Sequence, residues 1–191
     1  MAGMTTTTTP TLTTLTTLHH VAAMYAPGDR PAARAFFEVL GCEVTDSRSP
    51  FLLARIGPAR PGLSESWVFA SEVTPEQWRL EETLRAERLG GALAGPADDY
   101  VRRLRTDPQH ACHFAIRYPG ESEFEASLDR VEHVADHAPA LAGRVSISGV
   151  FRPGDDGAQS ATQTQAFVYT DVIASGILAF GQHIELQWET S

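Results

Sequence analysis

The sequence lacks several features that would assign it to particular classes of protein. No apolar run approaches the roughly 20 residues of a membrane-spanning helix, so we expect no membrane segment. Lysine is absent, and 15 basic residues stand against 24 acidic ones, giving a net charge of −9. This acidic balance argues against a nucleic-acid-binding surface.

Cysteine is also scarce. Cys42 and Cys112 are the two in the chain, and their spacing suggests neither a disulfide framework nor a metal-binding cysteine pair. We therefore expect a cytosolic protein with reduced thiols. Cys112 precedes a histidine and is predicted to pack as a small apolar residue rather than act as a reactive thiol.

The first 17 residues contain ten threonines and no basic residue. They lack the basic and apolar regions of a secretory signal and the arginines of a transit peptide. We predict that residues 1–17 form a disordered, threonine-rich tail.

One motif occurs twice in the remaining chain. The stretch from His20 to Asp29 recurs from His113 to Glu121, each time as a strand pattern, a Pro-Gly turn, an acidic residue and a helical pattern. Strand patterns at 42–45, 51–56 and 67–71 follow the first copy. Similar patterns at 145–151, 162–172 and 182–188 follow the second. Repeated units of this size usually pair so that each buries the other's apolar face.

The predicted fold is therefore α+β, with two tandem βαβββ modules at residues 18–73 and 111–191. Residues 74–110 are predicted to be a linker helix and a loop. Thr74 and Pro75 are typical of the start of that helix, and Gly90-Gly91 of its end. The Gly- and Ala-rich stretch that follows, up to Pro96, is predicted to be a loop.

Strand alternation gives His20 and His113 equivalent positions, on the face of each first strand that points away from the module's helix. Glu185 lies between apolar neighbours on the last strand, where an unpaired carboxylate would be costly to bury. Two histidines and a carboxylate are a common catalytic metal-ligand set, so we predict a metal site at these three residues. The alternative is that both histidines belong to the core and are satisfied by hydrogen bonds.

The chain resembles the vicinal oxygen chelate superfamily, which includes glyoxalase I, extradiol dioxygenases, fosfomycin-resistance enzymes and bleomycin-binding proteins. The motifs that carry the resemblance are Leu18-His19-His20-Val21-Ala22, His113-Phe114-Ala115-Ile116 and Ile184-Glu185-Leu186, within about residues 18 to 189. The resemblance implies a curved mixed-sheet cup around a divalent metal, either Fe(II), Mn, Ni or Zn. It places His20, His113 and Glu185 at the ligand positions.

The sequence departs from both enzyme branches of this superfamily. Glyoxalases add a fourth ligand from the last strand of the first module, where Glu72 is the available donor; a solvated strand end is the alternative for this residue. Dioxygenases carry a tyrosine and an acid-Pro-x-Gly turn shortly before the final glutamate. Here Tyr169 lies sixteen residues before Glu185, and the turn contains Ala-Ser-Gly. We predict Tyr169 as a catalytic acid or hydrogen-bond donor.

Two further residues are predicted to contact substrate. Arg117 lies on the His113 face of its strand and either binds an anionic substrate or pairs with a carboxylate. His183 shares a face with Glu185, and either supports the metal site and substrate or is an exposed histidine at the strand end.

The function that the resemblance implies is a metal-dependent enzyme acting on a small molecule with vicinal oxygens, as a ring-cleaving dioxygenase or a glyoxalase-like lyase or isomerase. The alternative is a metal-free binding protein of the bleomycin-resistance type, for which the acidity of the chain favours a cationic ligand. We expect a small-molecule partner and neither nucleic acid nor membrane. Because homodimers are common in the superfamily, a homodimer is a further expectation.

Overall fold

The computed structural model of the chain describes residues 18–45, 50–56 and 66–189. The predicted tail at residues 1–17 lies outside the described residues. The strands are β1 (His20–Tyr25), β2 (Glu43–Thr45), β3 (Leu52–Ile56), β4 (Ser66–Glu72), β5 (His113–Arg117), β6 (Val145–Phe151), β7 (Gln163–Thr170) and β8 (Gln182–Glu189). The α-helices are α1 (Arg30–Val39), α2 (Pro75–Gly90), α3 (Ala94–Thr106), α4 (Glu121–Glu132) and α5 (Val134–His137). Short 3₁₀ helices occur at Pro108–His110, Pro139–Leu141 and Leu178–Phe180.

Two four-stranded sheets have the same topology. Their strand orders are β1-β4-β3-β2 and β5-β8-β7-β6, and in each sheet the first and last strands of the module pair in parallel while the other pairs are antiparallel. This repetition confirms the predicted α+β fold of two tandem βαβββ modules. It is the fold that the resemblance to the vicinal oxygen chelate superfamily implies.

Helix α1 forms where the sequence predicted it. Pro31 lies in its first turn, where a missing backbone N–H costs little. Phe36 and Phe37 are fully buried on its apolar side. Gly41 follows the helix with φ +81°, a left-handed conformation in which a residue without Cβ is favoured.

The linker contains one helix more than the sequence analysis predicted. Helix α2 begins as expected, with the Thr74 hydroxyl accepting a hydrogen bond from the backbone N–H of Gln77 at 3.2 Å. Helix α3 then occupies a stretch that was predicted to be a loop. Its buried residues Ala97, Val101 and Leu104 have the i, i+4, i+7 spacing of an amphipathic helix. The glycines and Pro96 at its start obscured this pattern.

The apolar side of the second sheet packs against helix α4, and a single buried cluster joins the two modules. Ile184 and Leu186 of β8 belong to the same cluster as Phe124 of α4 and Phe36 of α1. A mixed sheet with one face on helices leaves its opposite face available for a site. No helix in the described parts of the chain is long and apolar enough to cross a membrane.

Polar contacts also connect the modules. The buried Tyr118 hydroxyl donates to the carbonyl of Leu40 at 2.6 Å, and Arg144 of the second module pairs with Asp29 of the first at 2.7 Å. A short antiparallel bridge, Met24 to Ala174, joins β1 to the loop between β7 and β8. This loop is therefore held by both modules.

Candidate functional site

The face of the second sheet opposite α4 gathers most of the predicted site residues. Strand register places His113 beside His183 and Tyr169 opposite His183, while Phe167 lies opposite Glu185. Since alternate residues of a strand share a face, all five side chains belong to one side of the sheet.

The Glu185 carboxylate is buried, with 4% of the residue exposed, and hydrogen bonds account for its burial. Its Oε1 accepts from the side-chain amides of Gln165 at 2.6 Å and Gln187 at 2.7 Å. Its Oε2 lies 3.0 Å from Nε2 of His113. Three polar neighbours thus replace the water that the carboxylate loses on folding.

His113 is held at both ring nitrogens. Its Nδ1 lies 2.8 Å from the carbonyl oxygen of Ala111. Because a carbonyl only accepts, Nδ1 carries a proton and donates it there. The ring edge also contacts Phe167, with centroids 5.2 Å apart. With Nε2 directed at Glu185, neither nitrogen is left for a substrate in this arrangement.

His20, the third predicted metal ligand, lies on the first sheet in different surroundings. Its ring is exposed and stacks on Phe69 with centroids 4.8 Å apart, and its Nδ1 lies 3.1 Å from Nδ1 of His19. With Arg117 and other residues it lines a cavity of about 300 Å³ between the two modules. The structure therefore brings His113 and Glu185 together but leaves His20 apart from them.

This arrangement does not fit a three-ligand metal site. Within the ranges 18–45, 50–56 and 66–189, no group of three or more His, Cys, Asp or Glu side chains is placed to hold a metal ion. Glu72, the one candidate for a fourth ligand, accepts a hydrogen bond from the backbone N–H of Gly28 at 3.1 Å. Only two of the donors that catalytic metals usually require are assembled.

Arg117 and Tyr169 are both engaged by the protein. The Arg117 guanidinium pairs with Glu189 at 3.1 Å, which is the carboxylate pairing that the sequence left open. The Tyr169 hydroxyl donates to the carbonyl of Phe180 at 3.2 Å, and the Arg105 guanidinium lies over the Tyr169 ring, 4.4 Å from its centroid. Whether Tyr169 has a catalytic role stays a prediction.

His183 is buried, with 1% exposed, so the alternative of an exposed strand-end histidine is wrong. Its Nε2 lies 2.9 Å from the hydroxyl of Ser148, a residue at an irregularity in the pairing of β6 with β7. Its Nδ1 is the one buried side-chain nitrogen or oxygen of the described chain without a hydrogen-bond partner. Burial lowers the pKa of His183 to about 4, with smaller contributions from His113 and Arg105.

His183 and Cys112 belong to the lining of a cavity of about 500 Å³. We call it the α3 cavity, because helix α3 forms one wall and the β7–β8 loop forms another. Its lining residues are mainly apolar: Leu93, Pro96, Ala97, Tyr100, Leu104, Cys112, Ala174, Ser175, Gly176, Ile177, Phe180, Gly181, Gln182 and His183. Cavities of this size and character are typical of small-molecule sites.

This cavity could not be predicted without α3. The prediction that Cys112 packs as a small apolar residue is wrong, because Cys112 is exposed. Three large apolar residues of the lining, Leu93, Tyr100 and Ile177, are 37–49% exposed. Apolar side chains clustered at an opening often mark a binding site. The helical spacing of 97, 101 and 104 is the sequence signal that could have revealed it.

A buried carboxylate of α2 fixes the loop side of the cavity. Glu81 is fully buried and accepts hydrogen bonds from the backbone N–H groups of Leu178 and Ala179, both at 2.8 Å. Arg88 of the same helix donates to the carbonyl of Ala179 at 2.6 Å. Helix α2 therefore positions the β7–β8 loop, while helix α3 covers the cavity.

Comparisons with solved structures find folds similar to this one. An oxidase named ChaP-H2 is 16% identical with a TM-score of 0.41, and the match covers 93% of this chain and 96% of that chain. UcmS2 is 17% identical with a TM-score of 0.43, over 91% of this chain and 98% of that chain. A protein from Bacillus anthracis assigned to the glyoxalase family is 14% identical with a TM-score of 0.42, over 93% of this chain and 98% of that chain.

No protein-family model matches the chain, and no curated protein does. The description of the fold therefore rests on the strand order and register of the chain itself.

Proposed function

We propose that this chain binds a small organic molecule in the α3 cavity without a metal ion. The observation that carries the proposal is the cavity itself, about 500 Å³ and largely apolar, with the buried imidazole of His183, whose Nδ1 has no hydrogen-bond partner, in its wall. An unpartnered buried polar atom costs about 1–3 kcal/mol, which a bound molecule can recover. The proposal corresponds to the binding-protein branch of the superfamily.

The hydrogen bonds around Glu185 support binding without a metal. The carboxylate accepts hydrogen bonds from two glutamine amides, and its second oxygen lies 3.0 Å from Nε2 of His113. Glu185 thus has hydrogen-bond donors within the protein itself. His20 contributes to a separate cavity.

The test is equilibrium dialysis of 2-naphthol against protein treated with EDTA and then freed of the chelator. We expect saturable binding that weakens by about tenfold or more in Ala97→Leu, since Ala97 is buried in the cavity wall and a larger side chain takes up ligand volume. Asp98→Leu adds the same side chain on the exposed side of α3 and should bind as the wild type does. Absence of binding to the wild type, or equal binding by both variants, would contradict the proposal.

A metal-dependent enzyme of the vicinal oxygen chelate type is the second candidate. It is favoured by the contact of 3.0 Å between His113 and Glu185 and by the Ala111 carbonyl at Nδ1 of His113, a partner that often orients a metal-binding histidine. Elemental analysis of protein purified without chelators or a histidine tag tests it. About one metal ion per chain, lost in a His20→Ala/Glu185→Ala double variant, would favour this candidate over the first.

A further inference from the structure

The lining of the α3 cavity carries no formal charge. None of its described lining residues is an Asp, Glu or Arg, although the whole chain has a net charge of −9. A charged group that enters such a site loses its water and finds no opposite charge, so its binding is penalised. The lining therefore opposes the cationic ligand that the overall acidity suggested.

The buried side-chain amide of Gln182 also lines the cavity, and its hydrogen-bonding groups already have partners within the protein. The Gln182 amide nitrogen donates to the carbonyls of Cys112 at 2.8 Å and His183 at 3.0 Å. Its oxygen accepts from the backbone N–H of Ser175 at 3.2 Å. This side chain is held in place by the walls of the cavity. His183 also belongs to the lining, and its buried Nδ1 has no hydrogen-bond partner.

A hydroxyl group suits that nitrogen in either tautomer. If the Ser148 hydroxyl donates to Nε2, then Nδ1 carries the proton and needs an acceptor; if Nε2 donates to Ser148, then Nδ1 needs a donor. A hydroxyl both donates and accepts, whereas an ether or ketone only accepts.

We infer that the α3 cavity selects neutral, mainly apolar molecules that carry a hydroxyl group, and that it discriminates against carboxylates and ammonium ions. This inference rests on the proposed function and specifies the ligand class of the same site. The uncharged lining carries the discrimination against ions, and His183 carries the preference for a hydroxyl.

Four probes of similar size test the inference by equilibrium dialysis at pH 7: 2-naphthol, 2-methylnaphthalene, 2-naphthoate and 2-naphthylmethylammonium. We expect 2-naphthol to bind about tenfold or more tightly than either ion, and more tightly than 2-methylnaphthalene. If the anion or the cation binds as tightly as 2-naphthol, the inference is wrong while the proposed function stands. If no probe binds, both are contradicted.

A variant without the imidazole tests whether His183, rather than apolar burial alone, causes the preference for a hydroxyl group. In His183→Leu, the ratio of the two neutral probes' dissociation constants should fall to about one, because the variant retains apolar volume without the nitrogen. His137→Leu, at an exposed position on α5, should preserve the wild-type ratio. A folded His183→Leu protein that still prefers 2-naphthol would overturn the role given to His183. Circular dichroism establishes that the variants fold.

Discussion

The two cysteines differ in their surroundings, and their reactivities should differ accordingly. Burial raises the pKa of the Cys42 thiol to about 12, whereas the Cys112 side chain is exposed at the α3 cavity. Because the thiolate is the nucleophile, we expect iodoacetamide at pH 8 to label Cys112 in the native protein and to label Cys42 only after unfolding. Peptide mass spectrometry measures both sites. Native labelling of Cys42 at the rate of Cys112 would contradict the raised pKa of the Cys42 thiol.

His183 should make the stability of the protein depend on pH. Its pKa is about 4 in the folded protein against a reference value of 6.5, so between these values the unfolded chain binds the proton more strongly. The stability that comes from the neutral imidazole is therefore present above pH 6.5 and is lost as the pH falls towards 4. Between pH 7 and 4.5 we expect this residue to account for a loss of about 2 kcal/mol in the free energy of unfolding.

Urea titrations over this pH range measure the effect of His183. The His183→Asn variant should lose about that much of the pH dependence, whereas His137→Asn, at an exposed position, should retain the wild-type profile. Identical profiles for wild type and His183→Asn would contradict the described burial of His183.

At the scale of single residues, the sequence predicted part of the site. Strand alternation, a local pattern, identified the strand faces of His113 and Glu185, and the resemblance placed the two residues at one site. The sequence could not predict that His20 would stack on Phe69 within the first sheet, since the pairing of β1 with β4 joins residues distant in sequence. The burial of His183 likewise depends on Ser148, thirty-five positions away, and on the cover that α3 provides.

Among the elements, helix α2 should stabilise the β7–β8 loop, to which it is hydrogen-bonded through Glu81. Removing the Glu81 carboxylate leaves two backbone N–H groups without their acceptor. We expect Glu81→Ala to lower the free energy of unfolding by about 2–3 kcal/mol and to weaken 2-naphthol binding, because the same loop lines the α3 cavity. Glu82→Ala, at the exposed neighbouring position, should change stability by less than about 0.5 kcal/mol. Equal stability of the two variants would contradict the capping role of Glu81.

The elements were predicted accurately wherever periodicity and turn residues agreed. The eight strands and the helices α1, α2 and α4 have clear period-2 or helical patterns between Gly, Pro and capping residues. Helix α3 was missed because Gly90, Gly91, Gly95 and Pro96 are typical of a loop, while the apolar stripe that stabilises the helix begins only afterwards. Packing of this apolar stripe stabilises α3 although the residues at its start have a low helix propensity.

For the whole molecule, the shared core predicts that the two modules unfold together. The Tyr118 hydroxyl of the second module donates to Leu40 of the first within this core. We expect Tyr118→Phe to cost about 1–2 kcal/mol of unfolding free energy while the transition stays single. Tyr100→Phe, at a half-exposed residue of α3, should cost less than about 0.5 kcal/mol.

Urea unfolding monitored by circular dichroism and by tryptophan fluorescence measures this coupling between the modules. Two separate transitions in the wild-type protein would show that the modules are energetically independent. The bounds of the modules at 18–73 and 111–191 would then describe separate folding units.

The duplicated order of elements could be predicted from sequence because each module repeats the same local signals. The location of the cavity could not, because it depends on how the linker packs on the second sheet. The ligand preference depends in turn on which polar groups the fold leaves unpaired. We therefore expect a small molecule to bind between α3 and the β7–β8 loop.

The most direct test is a titration of ¹⁵N-labelled, metal-free protein with 2-naphthol, followed by heteronuclear NMR. We expect the amide shifts to change at residues 93–104 and 174–183, which line the α3 cavity, and not at His20, Ala115 or Arg117. Shifts confined to the cavity between the modules, or no shifts at all, would contradict the account.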